Sequence, residues 1–539
     1  MTAEEVGRAI AEGRTCLGIE FGSTRIKACL IGPGHGAVAT GSHTWTNTLD
    51  AGLWTYDLGE VWSGVQSAVG ELLADADRHY GVRPATLRAM GVSAMMHGYL
   101  PFDVRGDLLV PFRTWRNTST GRAASELSDR LGLNIPMRWS VAHLYQAVLD
   151  HEDHVPRIDF LATLAGYVHW KLTGRRVLGV GDASGMFPID PETRTYDAEA
   201  LCAADELLTR HGFAPNLEDV LPTVLVAGRD AGRLTADGAT LLDPAGTIRP
   251  GTPLCPPEGD AGTGMTATHS IAPRTGNVSV GTSIFAMVVL EKPLRNVHPE
   301  IDVVTTPAGA PAAMVHCNNG ASELDGWAAV FRQFASAIGC DVSPDRAFEA
   351  LLEAALSGER DGGGILAYNH VSGEPIAGGL TEGRPLIVRT PGSRLSLANV
   401  ARSMMYGVFG TLSLGMRILA EEGVGLDALY AHGGLFRTAK VAQRLLAAAV
   451  DTPVSVGRSA AEGGAWGMAV LAAYLGSAEP DLDAFLAAEV FAGDELTVEK
   501  PNPDDVRGYR AFLETYESGL AVERTAVDVL TATRHVEVR

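Results

Sequence analysis

Cys16-Leu17-Gly18-Ile19-Glu20-Phe21-Gly22-Ser23-Thr24-Arg25-Ile26-Lys27-Ala28-Cys29-Leu30-Ile31 reads as two β-prone segments joined by a turn of small residues. The pattern returns at Gly276-Asn277-Val278-Ser279-Val280-Gly281-Thr282-Ser283-Ile284-Phe285-Ala286, where Gly281-Thr282-Ser283 falls on Gly22-Ser23-Thr24. One copy lies near the start and the other just past the middle. That placement points to a duplicated, two-lobed architecture.

Working outward, apolar residues at Val61, Val65, Val69, Leu72 and Leu73 have helical spacing, and Met90 to Met96 reads as a buried strand ending at His97-Gly98. Ser396 can cap a helix whose apolar face carries Leu397, Val400, Met404, Val408 and Leu412. Further on, Leu429 to His432 leads into Gly433-Gly434, and Glu462 to Gly467 opens another helix. Buried strands alternating with amphipathic helices give an α/β fold. The domain boundary is expected near residue 272, giving domains 1–271 and 272–539.

The chain has 539 residues and a net charge of −21, from 43 Lys+Arg against 64 Asp+Glu. It is long enough for two cores, and its charge repels nucleic acid and anionic lipid, so neither is an expected partner. No stretch has the length of an apolar membrane span. The opening MTAEEVGRAIAEGR reads as a short charged helix and not as a signal peptide. Six cysteines without a CxxC pair suit a reducing compartment, and a cytoplasmic location is expected.

Three places can carry chemistry. In Pro256-Pro257-Glu258-Gly259-Asp260-Ala261-Gly262-Thr263-Gly264-Met265, small residues on both sides of Asp260 let a substrate approach its carboxylate, and a helix starting here favours anions. An Asx-turn or a helix N-cap accounts for the same residues. Glu20, just ahead of Gly22-Ser23-Thr24, can reach a metal ion or its waters, while the turn's N–H groups and hydroxyls can meet phosphate oxygens. Gly281-Thr282-Ser283 carries the same two readings, phosphate turn or plain hairpin. There is no GxxxxGK[ST] loop, GxGxxG spacing or G-x-S-x-G elbow, so P-loop, dinucleotide and serine-hydrolase readings find no support.

Together GIEFGSTRIKACLI, GVSAMMHGYLPFD, RTWRN, GDASGMFPID, PPEGDAGTGM, GNVSVGTS and AHGGLFRTAKVAQRLLAAAVDTPV followed by EGGAWGMAVLAAY resemble the FGGY carbohydrate kinases of the actin-like ATPase superfamily, over about Thr15 to Leu475. The resemblance implies two ribonuclease-H-like domains flanking a deep cleft, sugar held mainly by the first and ATP mainly by the second. By position it makes Asp260 the catalytic base and Glu20 an acid near Mg²⁺, at a place usually occupied by Asp. Gly22, Ser23 and Thr24 match the first phosphate turn, Gly281, Thr282 and Ser283 the second, and Gly433 and Gly434 the adenosine turn. Asp260 also touches sugar and metal in this family.

On the sugar side, Met96-His97-Gly98 resembles the MHG segment of xylulokinases, and Trp115 and Asn117 resemble the Trp-x-Asp/Asn element beside it. Trp54-Thr55-Tyr56-Asp57 lacks the Glu that glycerol kinases use. Ala261 stands where xylulokinases commonly carry Asn, His143-Leu144-Tyr145-Gln146 replaces a Lys-Leu-x-Trp signature, and Cys317 to Glu323 is unlike the xylulokinase version. The expected reaction is therefore transfer of the γ-phosphate of ATP to a ketopentose, D-xylulose first and L-ribulose second. A non-catalytic sugar- or nucleotide-sensing protein on the same fold is the alternative. The resemblance also allows a homodimer.

Overall fold

In a computed structural model, residues 1–438, 440–457, 463–493 and 496–530 are described. The chain forms two compact units. The first contains Met1–Pro273, Val289–Ala313 and the stretch 462–494; the second contains Arg274–Val288, the stretch 314–461 and the C-terminal part from 495.

The first unit is built on a five-stranded sheet of β1 (Cys16–Phe21), β2 (Arg25–Ile31), β3 (Ala37–Thr44), β4 (Ala89–Ala94) and β5 (Glu258–Gly259), in the order β5-β4-β1-β2-β3. β1 runs antiparallel to β2, with Glu20 opposite Lys27, and parallel to β4, with Glu20 opposite Ser93. Leu17, Ile19 and Phe21 are buried, as are all six residues of β4, which is the signature of strands covered on both faces. The helix Leu58–Tyr80 carries the expected face, Val61, Val65, Val69, Leu72 and Leu73, against this core. Asp57 caps its start by accepting the N–H groups of Gly59 and Glu60, and Gly81 ends it in a left-handed conformation (φ 67°).

The second unit repeats the plan. Its strands β6 (Thr275–Val280), β7 (Ile284–Val289), β8 (Pro311–Cys317), β9 (Ala428–His432), β10 (Val454–Val456) and β11 (Thr497–Glu499) follow the order β8-β7-β6-β9-β10-β11. β6 pairs antiparallel with β7 and parallel with β9, as β1 does with β2 and β4. The helix Leu397–Glu421 begins at Ser396, whose side chain accepts the N–H of Asn399, and it buries Met404, Val408 and Leu412. A C-terminal helix, Pro503–Val529, docks through Tyr509, Phe512 and Tyr516; Glu462, read above as part of a helix start, lies outside the described residues. Among the described residues no helix is long and apolar enough to cross a membrane.

The helix Gly463–Tyr474 comes from late in the sequence but belongs to the first unit, where it packs on β1. Glycines set how close it comes. A Cβ on Gly18 of β1 would lie 2.1 Å from the carbonyl oxygen of Ala465 and 2.4 Å from the nitrogen of Ala469. On its other side, a Cβ on Gly467 would lie 2.2 Å from the carbonyl oxygen of Thr263.

Candidate functional site

Asp260 is the first residue of the helix Asp260–Ala267, directly after the two-residue strand β5. Its Oδ1 accepts the N–H of Met96 at 3.2 Å and of Ala261 at 3.0 Å. The Asp residue and the start of the Met96-His97-Gly98 segment, read separately in the sequence, are thus hydrogen-bonded to one another. Burial pushes the Asp260 carboxyl up to about 6, with the charge of Glu20 adding to the rise and the two N–H groups opposing it.

His97 sits in the left-handed region at φ 69° and Gly98 at φ 97°, an arrangement uncommon for a non-glycine residue. His97 is buried, and its Nδ1 donates to the carbonyl of Gly185 at 3.2 Å. Gly98 needs to be glycine on two counts: its φ, and the Phe112 ring 2.7 Å from where a Cβ would be. Trp115 is half-buried against the core of the first unit. Asn117 is buried: its Oδ1 accepts the N–H of Trp54, and its Nδ2 donates to the carbonyls of Trp54 and Thr114. Both Nδ2 donor positions are thus taken and Asn117 braces the Leu53–Thr55 strand, while Oδ1 keeps a second lone pair that a sugar hydroxyl could use.

The turn Gly22-Ser23-Thr24 is fixed by aromatic residues. The carbonyls of Gly22, Ser23 and Thr24 accept from Trp45 Nε1, Tyr56 Oη and the Trp45 N–H. The two rings stack with centroids 4.2 Å apart. Because trans peptides set C=O and N–H on opposite sides, inward carbonyls turn the Ser23 and Thr24 N–H groups outward, where both side chains are exposed. N–H groups and hydroxyls so exposed are open to a bound anion.

In the second unit, Gly281 and Thr282 are exposed, and the Gly281 N–H closes the hairpin on the Ser283 carbonyl at 3.0 Å. The carbonyls of Gly281 and Thr282 accept from Ala321 and Gly320. Asn369 and Asn319 hold that segment in turn, with Asn319 bonded to the buried Glu374. Gly433 takes φ 110°, and a Cβ there would lie 2.3 Å from the carbonyl of Val280, just ahead of this turn. The second unit therefore brings Gly281-Thr282-Ser283 and Gly433 together, with Gly434 exposed alongside.

Several residues at the first site were passed over in the sequence. Lys27 Nζ stands 3.7 Å from Glu20 Oε2. Glu258 is buried and accepts the N–H groups of Gly181 at 3.2 Å and Asp182 at 3.0 Å. Asp182, also buried, accepts from the Thr163 hydroxyl at 2.7 Å, and its Oδ1 has no hydrogen-bond partner. Both acids lie inside quoted motifs, PPEGDAG and GDASG, and acids flanked by small residues are the signal that would have found them.

Burial pushes Glu258 up to about 8, with the Asp182 charge second, and pushes Asp182 up to about 7, with Asp260 adding. The folded chain thus holds protons that the unfolded chain, near pH 4, has released. Stability from these groups is complete below that range and is lost as pH rises through about 7 and then 8. The melting midpoint is expected to fall between pH 5 and pH 8.5, and Glu258→Gln to make the fall shallower, by roughly half. Calorimetry across that range checks it; an unchanged slope counts against the assignment.

Mg²⁺ is usually held by one or two carboxylates together with phosphate oxygens and water. Among the described residues no three acids, histidines or cysteines converge to hold a metal unaided. Burial also raises the Glu20 carboxyl, with Lys27 and the Ala465 N–H opposing, and Glu20 in turn raises Asp260. Two acids, one raising the other, suit a divalent cation arriving with a nucleotide.

The model of the N-terminal domain of the FGGY family of carbohydrate kinases matches residues 15–253, and the model of its C-terminal domain matches residues 276–476. Xylulose kinase of Klebsiella pneumoniae is 25% identical over 442 residues, 78% of this chain and 81% of that enzyme. Among solved structures, the ligand-bound xylulose kinase of Lactobacillus acidophilus superposes with TM-score 0.77 at 17% identity, covering 96% of this chain and 99% of the other. The gluconate kinase of the same organism also reaches 0.77, at 18% identity, covering 94% and 98%.

Proposed function

The chain belongs to the FGGY family of carbohydrate kinases and is a sugar kinase with the two-domain actin-like fold, and from that premise we propose that its acceptor is a ketopentose, D-xylulose ahead of L-ribulose. The hydrogen bond from the Met96 N–H to Asp260 carries this reading. It sets the segment that resembles the xylulokinase sugar contact against the carboxylate we take as the proton acceptor. The family's phosphate donor is ATP.

In the proposed reaction a sugar hydroxyl attacks the γ-phosphorus in line, so positioning and charge stabilisation supply most of the rate. Asp260 accepts the hydroxyl proton through the carboxylate; with its pKa near 6 it is ionised at neutral pH yet basic enough to serve. His97 and Trp115 orient the sugar beside it, while Met96 and Gly98 shape the backbone there. The outward N–H groups and hydroxyls of Ser23 and Thr24, with Gly22 adding no side chain in the way, take phosphate oxygens; Gly281, Thr282 and Ser283 do the same in the second unit. Gly433 and Gly434 leave room for the adenosine. Glu20 and Asp260 would hold Mg²⁺, which when bound neutralises phosphate charge.

The test is ADP release with Mg-ATP against D-xylulose, L-ribulose, D-ribulose, L-xylulose, L-fuculose, glycerol and D-gluconate. Saturable turnover with one ketopentose is the expected result. Turnover only with gluconate or glycerol overturns the acceptor, and nucleotide binding without turnover on any sugar favours the sensor. A second measurement follows from electrostatics. kcat/KM for the sugar is expected to fall as pH drops through about 6. Glu20→Gln removes the like charge and should move that limb to lower pH; a limb that stays in place counts against Glu20 acting on Asp260.

A further inference from the structure

The carboxylate of Glu20 is held from two sides. The N–H of Ala465, in the first turn of the helix Gly463–Tyr474, favours its charged form, and its Oε2 faces Lys27 Nζ at 3.7 Å. Between these anchors it fills the space beside Gly464. A Cβ on Gly464 would lie 2.3 Å from Glu20 Oε1, 2.8 Å from its Cδ and 2.9 Å from Thr263 Oγ1. The far end of a glutamate is ordinarily free to move aside. Here moving aside takes the carboxylate away from the Ala465 N–H or from Lys27, so the steric conflict becomes a displacement of charge.

We propose that Gly464 is a positioning residue for Glu20, and that the two form one steric unit. The missing side chain at 464 is what lets a carboxylate one methylene longer than aspartate fold back onto the helix start. Substituting either residue alone spoils the fit; shortening Glu20 and filling Gly464 together restores it. The functional part of this inference rests on the reading of Glu20 as an acid that serves Mg²⁺.

Four full-length chains test it: the unaltered protein, Gly464→Ala, Glu20→Asp and the double variant. The readouts are the melting midpoint without ligand and Mn²⁺ affinity in the presence of ADP, followed by electron paramagnetic resonance. With Glu20 intact, Gly464→Ala is expected to lower the midpoint by several degrees and weaken Mn²⁺ about tenfold. With Glu20→Asp present, the same substitution should cost less than a third as much in both. The contact with Thr263 accounts for the remainder.

Equal costs in the two backgrounds overturn the proposal, as does an effect of Gly464→Ala too small to measure. If Gly464→Ala does not fold, a folded double variant supports the proposal, and failure of both overturns it. Glu20→Gln separates the two layers. Unchanged Mn²⁺ affinity in that variant removes the metal role of Glu20, and the coupling between melting midpoints still decides whether Gly464 positions it.

Discussion

Asp260→Asn is expected to reduce sugar-dependent ADP formation about 10³-fold, in the middle of the range for loss of a general base. The amide keeps the shape of the carboxylate and an oxygen to accept the N–H groups of Met96 and Ala261. What it loses is the ability to take a proton and the charge that opposes Glu20. Because burial disfavours the ionised Asp260, the variant should melt no lower than the unaltered chain at pH 8. Nucleotide affinity, measured by calorimetry with ADP, should change little. Loss of turnover with melting and ADP binding intact identifies a catalytic group; turnover within threefold of normal removes Asp260 from that role.

The second large effect concerns stability. Gly18→Ala places a methyl group 2.1 Å from one backbone atom of the helix Gly463–Tyr474 and 2.4 Å from another. Neither a carbonyl oxygen nor a peptide nitrogen inside a helix can rotate away, so the helix must shift from β1. Overpacking of this kind costs about 3 kcal/mol or more, a large part of the stability of any domain. The displacement would also drag the Ala465 N–H from Glu20 and loosen the seat of Thr263. The melting midpoint is expected to fall by about 5–10 °C, with activity reduced even below the transition. Gly34→Ala, where a Cβ meets nothing within 4 Å, is the control and should melt within about 1 °C of the unaltered chain. Equal midpoints for the two variants would refute the packing argument.

Much of this molecule is visible in its sequence because local chemistry dictates it. The paired hairpins are apolar strands interrupted by Gly22-Ser23-Thr24 and Gly281-Thr282-Ser283, and the helices at Leu58 and Leu397 carry both their periodicity and their caps. Asp260 stands out through the small residues around it. Other features depend on contacts far apart in the chain. Asn117 resembles a sugar-binding element in type and place, and only the fold shows that its amide also braces Trp54, 63 residues away. Glu258 and Asp182 become a buried acid pair only when β5 meets the segment after Gly179. Gly464 looks like any glycine near a helix start until Glu20 is folded against it.

The three-part composition of the first unit bears on how the protein comes into being. Residues 1–273 hold its sheet and Asp260, but the helix that closes over β1 is made some 190 residues later. As the chain leaves the ribosome, β1 emerges with its Gly18 face bare and the helix Asp260–Ala267 with its Thr263 face bare, and they stay so until Tyr474 is out. Most of the second unit has been synthesised by then, so the half begun first is completed late. A fragment ending near residue 273 would therefore be a partly built domain, open where Gly18 and Thr263 await their neighbour.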